Sequence, residues 1–232
     1  MSRAPLARLV TAELVGTSFL VAAVVGSGIA ATRLSPDQPG LQLLENSVVT
    51  GAVLVALILA LQPVSASFNP VVTLVERVRR RIDSREAGLA IAAQLAGGVL
   101  GAVLANLMYG DAAVSWSTHE RSGGGLWLGE AVATIGLVVV VFGSLRQQQL
   151  QTVAFAVGGY IVAAYWFTSS TSFANPAVTI GRTLSDTFAG IAPSSAPAFI
   201  AAQLVGAVLA IGVARYLYAD LPGADIVLPQ EP

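Results

Sequence analysis

Two dipeptides, Asn69-Pro70 and Asn175-Pro176, each open a short apolar segment of this 232-residue chain. An asparagine side chain donates and accepts hydrogen bonds, so a pair of them can hold a neutral oxygen. Asparagine is also a good helix N-cap, and proline is welcome in the first helical turn. Glu13 and Glu130 sit inside apolar stretches, where an ionisable group is costly and points to function. By themselves they read either as proton-relay groups or as acceptors that organise nearby backbone. Gln94 and Gln203 lie in two further apolar stretches and suit hydrogen bonding between helices. The rest of the inventory excludes chemistry. With no cysteine there are no disulfides, thiolate metal sites or cysteine nucleophiles. His119 is the single histidine, so no imidazole cluster is available to a metal. No nucleophile–base constellation stands out, and neither catalysis, a metal nor a cofactor is expected.

The elements that must carry these residues are apolar. Hydrophobic residues make up 55% of the chain and charged residues 11%, where a soluble domain carries roughly 25% charged. Mean hydropathy is +0.74. The net charge of −1 argues against a nucleic-acid partner. A bilayer span needs about 20 mostly apolar residues. Six stretches qualify: Leu9–Ala31, Leu41–Leu61, Leu89–Tyr109, Leu126–Leu145, Gln151–Phe167 and Ala198–Tyr218. The first is too long, and holds Glu13 within it, to be a cleavable signal peptide. Asn69–Val78 and Asn175–Leu184 are about half the length of a span. Each is expected to be a helix that begins at its Asn-Pro pair and stops early. Arginines follow the positive-inside rule: Arg3, Arg8, the run Arg77–Arg85, Arg146 and Arg215 are assigned to the cytoplasmic side. Both termini are then cytoplasmic, in an inner (plasma) membrane of bacterial type.

The chain repeats itself. Ile91–Tyr109 and Ile200–Tyr218 agree at ten of nineteen positions. Glu13, Thr17, Leu20 and Val21 recur as Glu130, Thr134, Leu137 and Val138, and Asn69-Pro70-Val71 recurs as Asn175-Pro176-Ala177. Each half has three spans, so the second must run through the membrane with opposite sense, giving an inverted repeat. The expected fold is an all-α membrane protein with six transmembrane helices and two re-entrant half-helices. It forms a single channel-like domain over 1–232, with a first repeat at 1–115 (half-helix 69–78), a second at 116–220 (half-helix 175–184) and a cytoplasmic tail at 221–232. The two half-helix N-termini, each carrying roughly half a positive charge, can meet near the midplane.

On these motifs the chain resembles the aquaporin superfamily of major intrinsic proteins, over nearly its whole length. The resemblance rests on the paired Asn-Pro-Val and Asn-Pro-Ala motifs, the glutamates of spans one and four, and the Ala-Gln-Leu repeat of spans three and six. It implies a passive, gradient-driven channel without cofactor, assembled as a homotetramer in the lipid bilayer. Its pore motifs would be Asn69, Pro70, Val71, Asn175, Pro176 and Ala177, donating hydrogen bonds to water or neutral solutes while the helix ends exclude protons and cations. It also implies that Glu13, Glu130, Gln94 and Gln203 hold loops and helices rather than relay protons.

One departure bears on selectivity. Most water and glycerol channels of the family place an arginine directly after the second Asn-Pro-Ala; here that residue is Val178. Arg182 lies one helical turn on, about 6 Å away, and whether it reaches back is left open by the sequence. Family spacing adds Ser172, Ala163 and Val49 to the filter, with Thr50 and Ala164 as the alternatives if loop lengths differ. Such a ring is small and weakly polar, although Tyr165, Trp166 and Phe167 are close enough to narrow it. The segment Ser170–Thr179 looks like bacterial aquaporins associated with arsenic resistance. The expected cargo is therefore trihydroxylated metalloids (arsenite, antimonite) and polyols such as glycerol. The alternatives are a broad water channel, a proton-coupled transporter using Glu13 or Glu130, and a non-conducting structural protein of the same fold.

Overall fold

The computed structural model describes residues 4–145 and 150–218. Arg3, Arg146 and the tail expected at 221–232 lie outside the described residues. Among the described residues there are eight helices and no strand. They are α1 (Leu6–Leu34), α2 (Pro39–Leu61), α3 (Pro70–Val78), α4 (Ser84–Met108), α5 (Gly124–Leu145), α6 (Leu150–Phe167), α7 (Pro176–Arg182) and α8 (Ala196–Leu217). Local sequence accounts for the starts. Pro39, Pro70 and Pro176 stand in first turns. Asp83 and Glu86 form a reciprocal capping box that restarts the chain as α4 after the arginine run. Five helices are long and apolar enough to cross a bilayer. The other expected span, α6, has a shorter apolar stretch, Gln151–Phe167. It packs against α2 and α5. The second half-helix ends earlier than the sequence suggested, at Arg182 rather than Leu184. Beyond it the Thr183 and Leu184 N–H groups turn back onto the carbonyls of Ile180 and Gly181.

The packing repeats as the sequence does. α1 lies along α4 and α2, and α5 correspondingly lies along α8 and α6. α3 rests on α4 and α8, α7 on α8 and α4, and the two half-helices touch each other. These pairings map onto one another, or onto themselves, when the halves are exchanged, as in an inverted repeat, while α1 also touches α7. Small residues set the distances. A Cβ on Gly97 would lie 2.6 Å from the Leu14 carbonyl oxygen, one on Gly206 2.7 Å from that of Ala131, and one on Gly98 2.5 Å from that of Ala177. Glycine at these positions lets α1 meet α4, α5 meet α8, and α7 sit directly on α4.

Candidate functional site

The site is built where the two half-helices meet. Asn69 caps α3 by accepting a hydrogen bond from the Val71 N–H at 2.9 Å. Asn175 caps α7 by accepting from the N–H groups of Ala177 at 3.0 Å and Val178 at 3.3 Å. Each cap uses only the side-chain oxygen. The amide of Asn69 donates across to the carbonyl of Ala174 at 2.8 Å, and the amide of Asn175 donates to the carbonyl of Phe68 at 2.8 Å. The tips are thus tied by reciprocal bonds between the halves. Each amide has two N–H groups, so one remains for a guest.

That exchange needs unusual backbone. Phe68 (φ 48°) and Ala174 (φ 46°) are left-handed non-glycine residues, a conformation that costs about 1–2 kcal/mol each. In this conformation their carbonyls reach the opposite asparagine while their N–H groups reach a buried carboxylate. Glu13 accepts from the N–H groups of Ser67 (2.9 Å) and Phe68 (2.8 Å), from the Ser65 hydroxyl, and from Gln94 (2.7 Å). Glu130 accepts from Phe173 (2.8 Å), Ala174 (3.0 Å), the Ser170 hydroxyl (2.7 Å) and Gln203 (2.6 Å). Gln94 also donates to Thr73 in α3 at 2.8 Å, and Gln203 to Thr179 in α7 at 2.9 Å. All four side chains are fully buried. Each carboxylate is thus bonded to the loop that enters its half-helix.

A cavity of 640 Å³ runs past the tips. At one end it is bordered by Ala4, Leu9, Glu76, Arg81 and Glu86; from there it passes Asn69 and Asn175 and reaches Thr50, Tyr165, Ser172, Phe173, Val178 and Arg182. Most of its intervening wall is apolar, including Leu54, Ile58, Val153, Val157 and Ile161.

Two sequence-derived filter positions need correction. Val49 and Ala163 are exposed, on the outer faces of α2 and α6. The inward stripe of α2 is Thr50, Leu54 and Ile58, and that of α6 is Val153, Val157, Ile161 and Tyr165. One residue turns a helix by about 100°, so a short error in assumed loop length moves a side chain from cavity to outer face. Thr50, one of the sequence alternatives, lines the cavity. Ala164, the other, is buried, but α6 turns Tyr165 to the cavity. Ser172 and Val178 line it. The far end is also less open than a ring of small residues implies. The Tyr165 and Thr50 hydroxyls lie 3.2 Å apart. The Arg182 guanidinium lies on the Phe173 ring, 3.4 Å from its centroid. The bonds between the tips leave no trace in residue type, because they end on backbone carbonyls. The stripe through Tyr165 had a signal, an apolar residue every fourth position along α6.

Re-entrant half-helices tied tip to tip inside a helical bundle, beside a long cavity, define the aquaporin-like fold of membrane channels. The chain belongs to the major intrinsic protein family, whose pattern it matches over residues 1–149 and 127–230. It is 45% identical over 218 residues to aquaglyceroporin AqpS of Rhizobium meliloti (strain 1021), covering 94% of this chain and 93% of that protein. Its fold is similar to the X-ray structure of the aquaglyceroporin from Plasmodium falciparum, with a TM-score of 0.70 at 18% identity, covering 94% of this chain and 97% of that one. It is an integral membrane channel protein and not an enzyme.

Proposed function

We propose that this protein is a passive channel for small uncharged polyhydroxyl solutes, with glycerol and trihydroxylated metalloids such as arsenous and antimonous acid as its cargo. The observation that carries this reading is the reciprocal bonding of Asn69 and Asn175 beside the cavity. It leaves amide donors for a neutral oxygen next to two positive helix ends, which raise the energy of any cation. The name of the Rhizobium relative, an aquaglyceroporin, supports solutes of glycerol size. Valine at position 178 supports the same choice, since it leaves that wall short and uncharged. In this reading the outer constriction comprises Thr50, Tyr165, Ser172 and Val178. Glu13, Glu130, Gln94 and Gln203 are scaffold, because every carboxylate oxygen is occupied by donors of its own loop and neighbouring helix. That occupancy argues against proton coupling through either glutamate. The arginine bias supports cytoplasmic termini in a bacterial plasma membrane, and family membership supports a homotetramer.

A second reading, a water channel, is favoured by the closeness of the Thr50 and Tyr165 hydroxyls, which narrows the far end. Stopped-flow measurements on proteoliposomes with water, glycerol and arsenous acid separate the two. Glycerol and arsenous acid crossing well above the lipid background support the polyol and metalloid reading. Water alone crossing establishes the second.

A further inference from the structure

We propose that Arg182 is the charged, solute-bonding residue of the outer constriction, acting one turn beyond the position that Val178 leaves neutral. This rests on the channel reading above. α7 places Val178 and Arg182 four residues apart, on one face, and both line the cavity. Arg182 is buried, with 2% exposure. Its guanidinium lies on the Phe173 ring, 3.4 Å from the centroid, and its Nε donates to the Ala189 carbonyl. Among the described residues no carboxylate pairs with it. Its Nη1 is buried without a hydrogen-bond partner, and so is the Ser172 hydroxyl, which belongs to the residue preceding Phe173 and also lines the cavity.

A structural role explains part of this. The Nε bond and the Ile191 N–H donated to the Arg182 carbonyl at 3.3 Å clamp the turn after α7. An arginine at a helix C-terminus also suits the helix dipole. Neither accounts for a buried Nη1 without a hydrogen-bond partner on a side chain that lines the cavity, and a buried cation short of a hydrogen bond is expensive. The hydroxyls of a polyhydroxyl solute reaching this wall supply an acceptor for Nη1 and a partner for Ser172. The same positive charge repels cations that come as far as the tips. Arg121 also faces Phe173, at 5.2 Å. Its Nε and Nη2, however, are taken up by the carbonyls of Gly190 and Phe188, and it does not line the cavity. Arg182 is therefore the arginine presented to the solute at this end.

The test uses the full chain in proteoliposomes, with glycerol and methylammonium as probes. Arg182→Gln should raise methylammonium permeation roughly tenfold, the loss of one unit charge a few ångströms from the lane. Adding Val178→Arg to that variant should restore exclusion, which a purely structural role at position 182 would not allow. Arg182→Lys guards against a glutamine variant that fails to fold. It should keep methylammonium out but change the glycerol-to-water ratio by about threefold, as expected for one altered hydrogen bond. A folded glutamine variant that conducts glycerol and excludes methylammonium like the parent overturns the proposal. So does a lysine variant that leaks methylammonium, or one indistinguishable from the parent in both measurements. A parent protein that passes water but no glycerol overturns the polyol reading and the solute-bonding role of Arg182 together, whereas a parent that passes glycerol leaves the variants to decide the role of Arg182 alone.

Discussion

Replacing Glu130 with glutamine separates a scaffold from a proton relay. In the parent, Oε1 accepts from the Ser170 hydroxyl at 2.7 Å and the Phe173 N–H at 2.8 Å. Oε2 accepts from the Ala174 N–H at 3.0 Å and from Gln203 at 2.6 Å. Glutamine preserves shape but keeps one acceptor. If its oxygen retains the first pair of donors, its amide confronts the second pair. A buried donor left unpaired costs about 1–3 kcal/mol, so two give about 2–6 kcal/mol. Gln203 can relieve part of this, because its own side-chain oxygen has no partner and can turn to accept from the new amide. The Ala174 N–H and the amide hydrogens that Gln203 turns away then remain without acceptors, and the expected loss is at least about 2 kcal/mol. For a chain of this length that lowers Tm by about 4–8 °C. Tryptophan fluorescence during thermal unfolding in detergent measures it, with Trp116, Trp127 and Trp166 as reporters. Glycerol uptake by proteoliposomes, with and without an imposed pH gradient, is measured in parallel. The expected outcome is a lower Tm, reduced uptake, and no effect of the gradient on either protein. An unchanged Tm, with parent uptake that needs the gradient and variant uptake that ignores it, would refute the scaffold role.

Val178→Arg adds length and charge at the constriction and should reduce glycerol permeation more than water permeation. Equal losses by stopped-flow would remove Val178 from the constriction. Gly98→Val forces a side chain against the Ala177 carbonyl, where a Cβ already comes to 2.5 Å. It should destabilise by about 1–3 kcal/mol, read as a fall in Tm together with reduced glycerol flux. Tyr165→Phe deletes one of the two hydroxyls that lie 3.2 Å apart at the far end. It should raise the glycerol-to-water ratio by about twofold, in proportion to one weak hydrogen bond.

The large features of this fold are written in residue type and period. Apolar length announces the spans, and Asn69-Pro70 and Asn175-Pro176 announce two helices that start inside the bilayer. The recurrence of Glu13 as Glu130 and of Gln94 as Gln203 announces the duplication. What the sequence concealed lies in backbone and rotation. The bonds from Asn69 to Ala174 and from Asn175 to Phe68 end on carbonyls, which every residue possesses. The left-handed turns at Phe68 and Ala174 have no glycine to mark them, because buried carboxylates and cross-tip bonds hold them instead. Val49 and Ala163 were misplaced because family spacing fixes a helix's rotation only if loop lengths agree, whereas the stripe from Val153 to Tyr165 fixes it directly. Arg182 was ambiguous for a similar reason. Its distance along α7 was legible, but its stacking on Phe173 depends on the fold of the loop before α7.

In the proposed channel, asparagine amides at two joined helix tips bond neutral solute while the helix ends hold cations back. Ionic current in planar bilayers tests it most directly, with the parent compared to Asn69→Asp and Asn175→Asp, each checked for folding. Parent channels that carry no current, and aspartate variants that carry a cation current, are the predicted result. Folded aspartate variants as silent as the parent would contradict it.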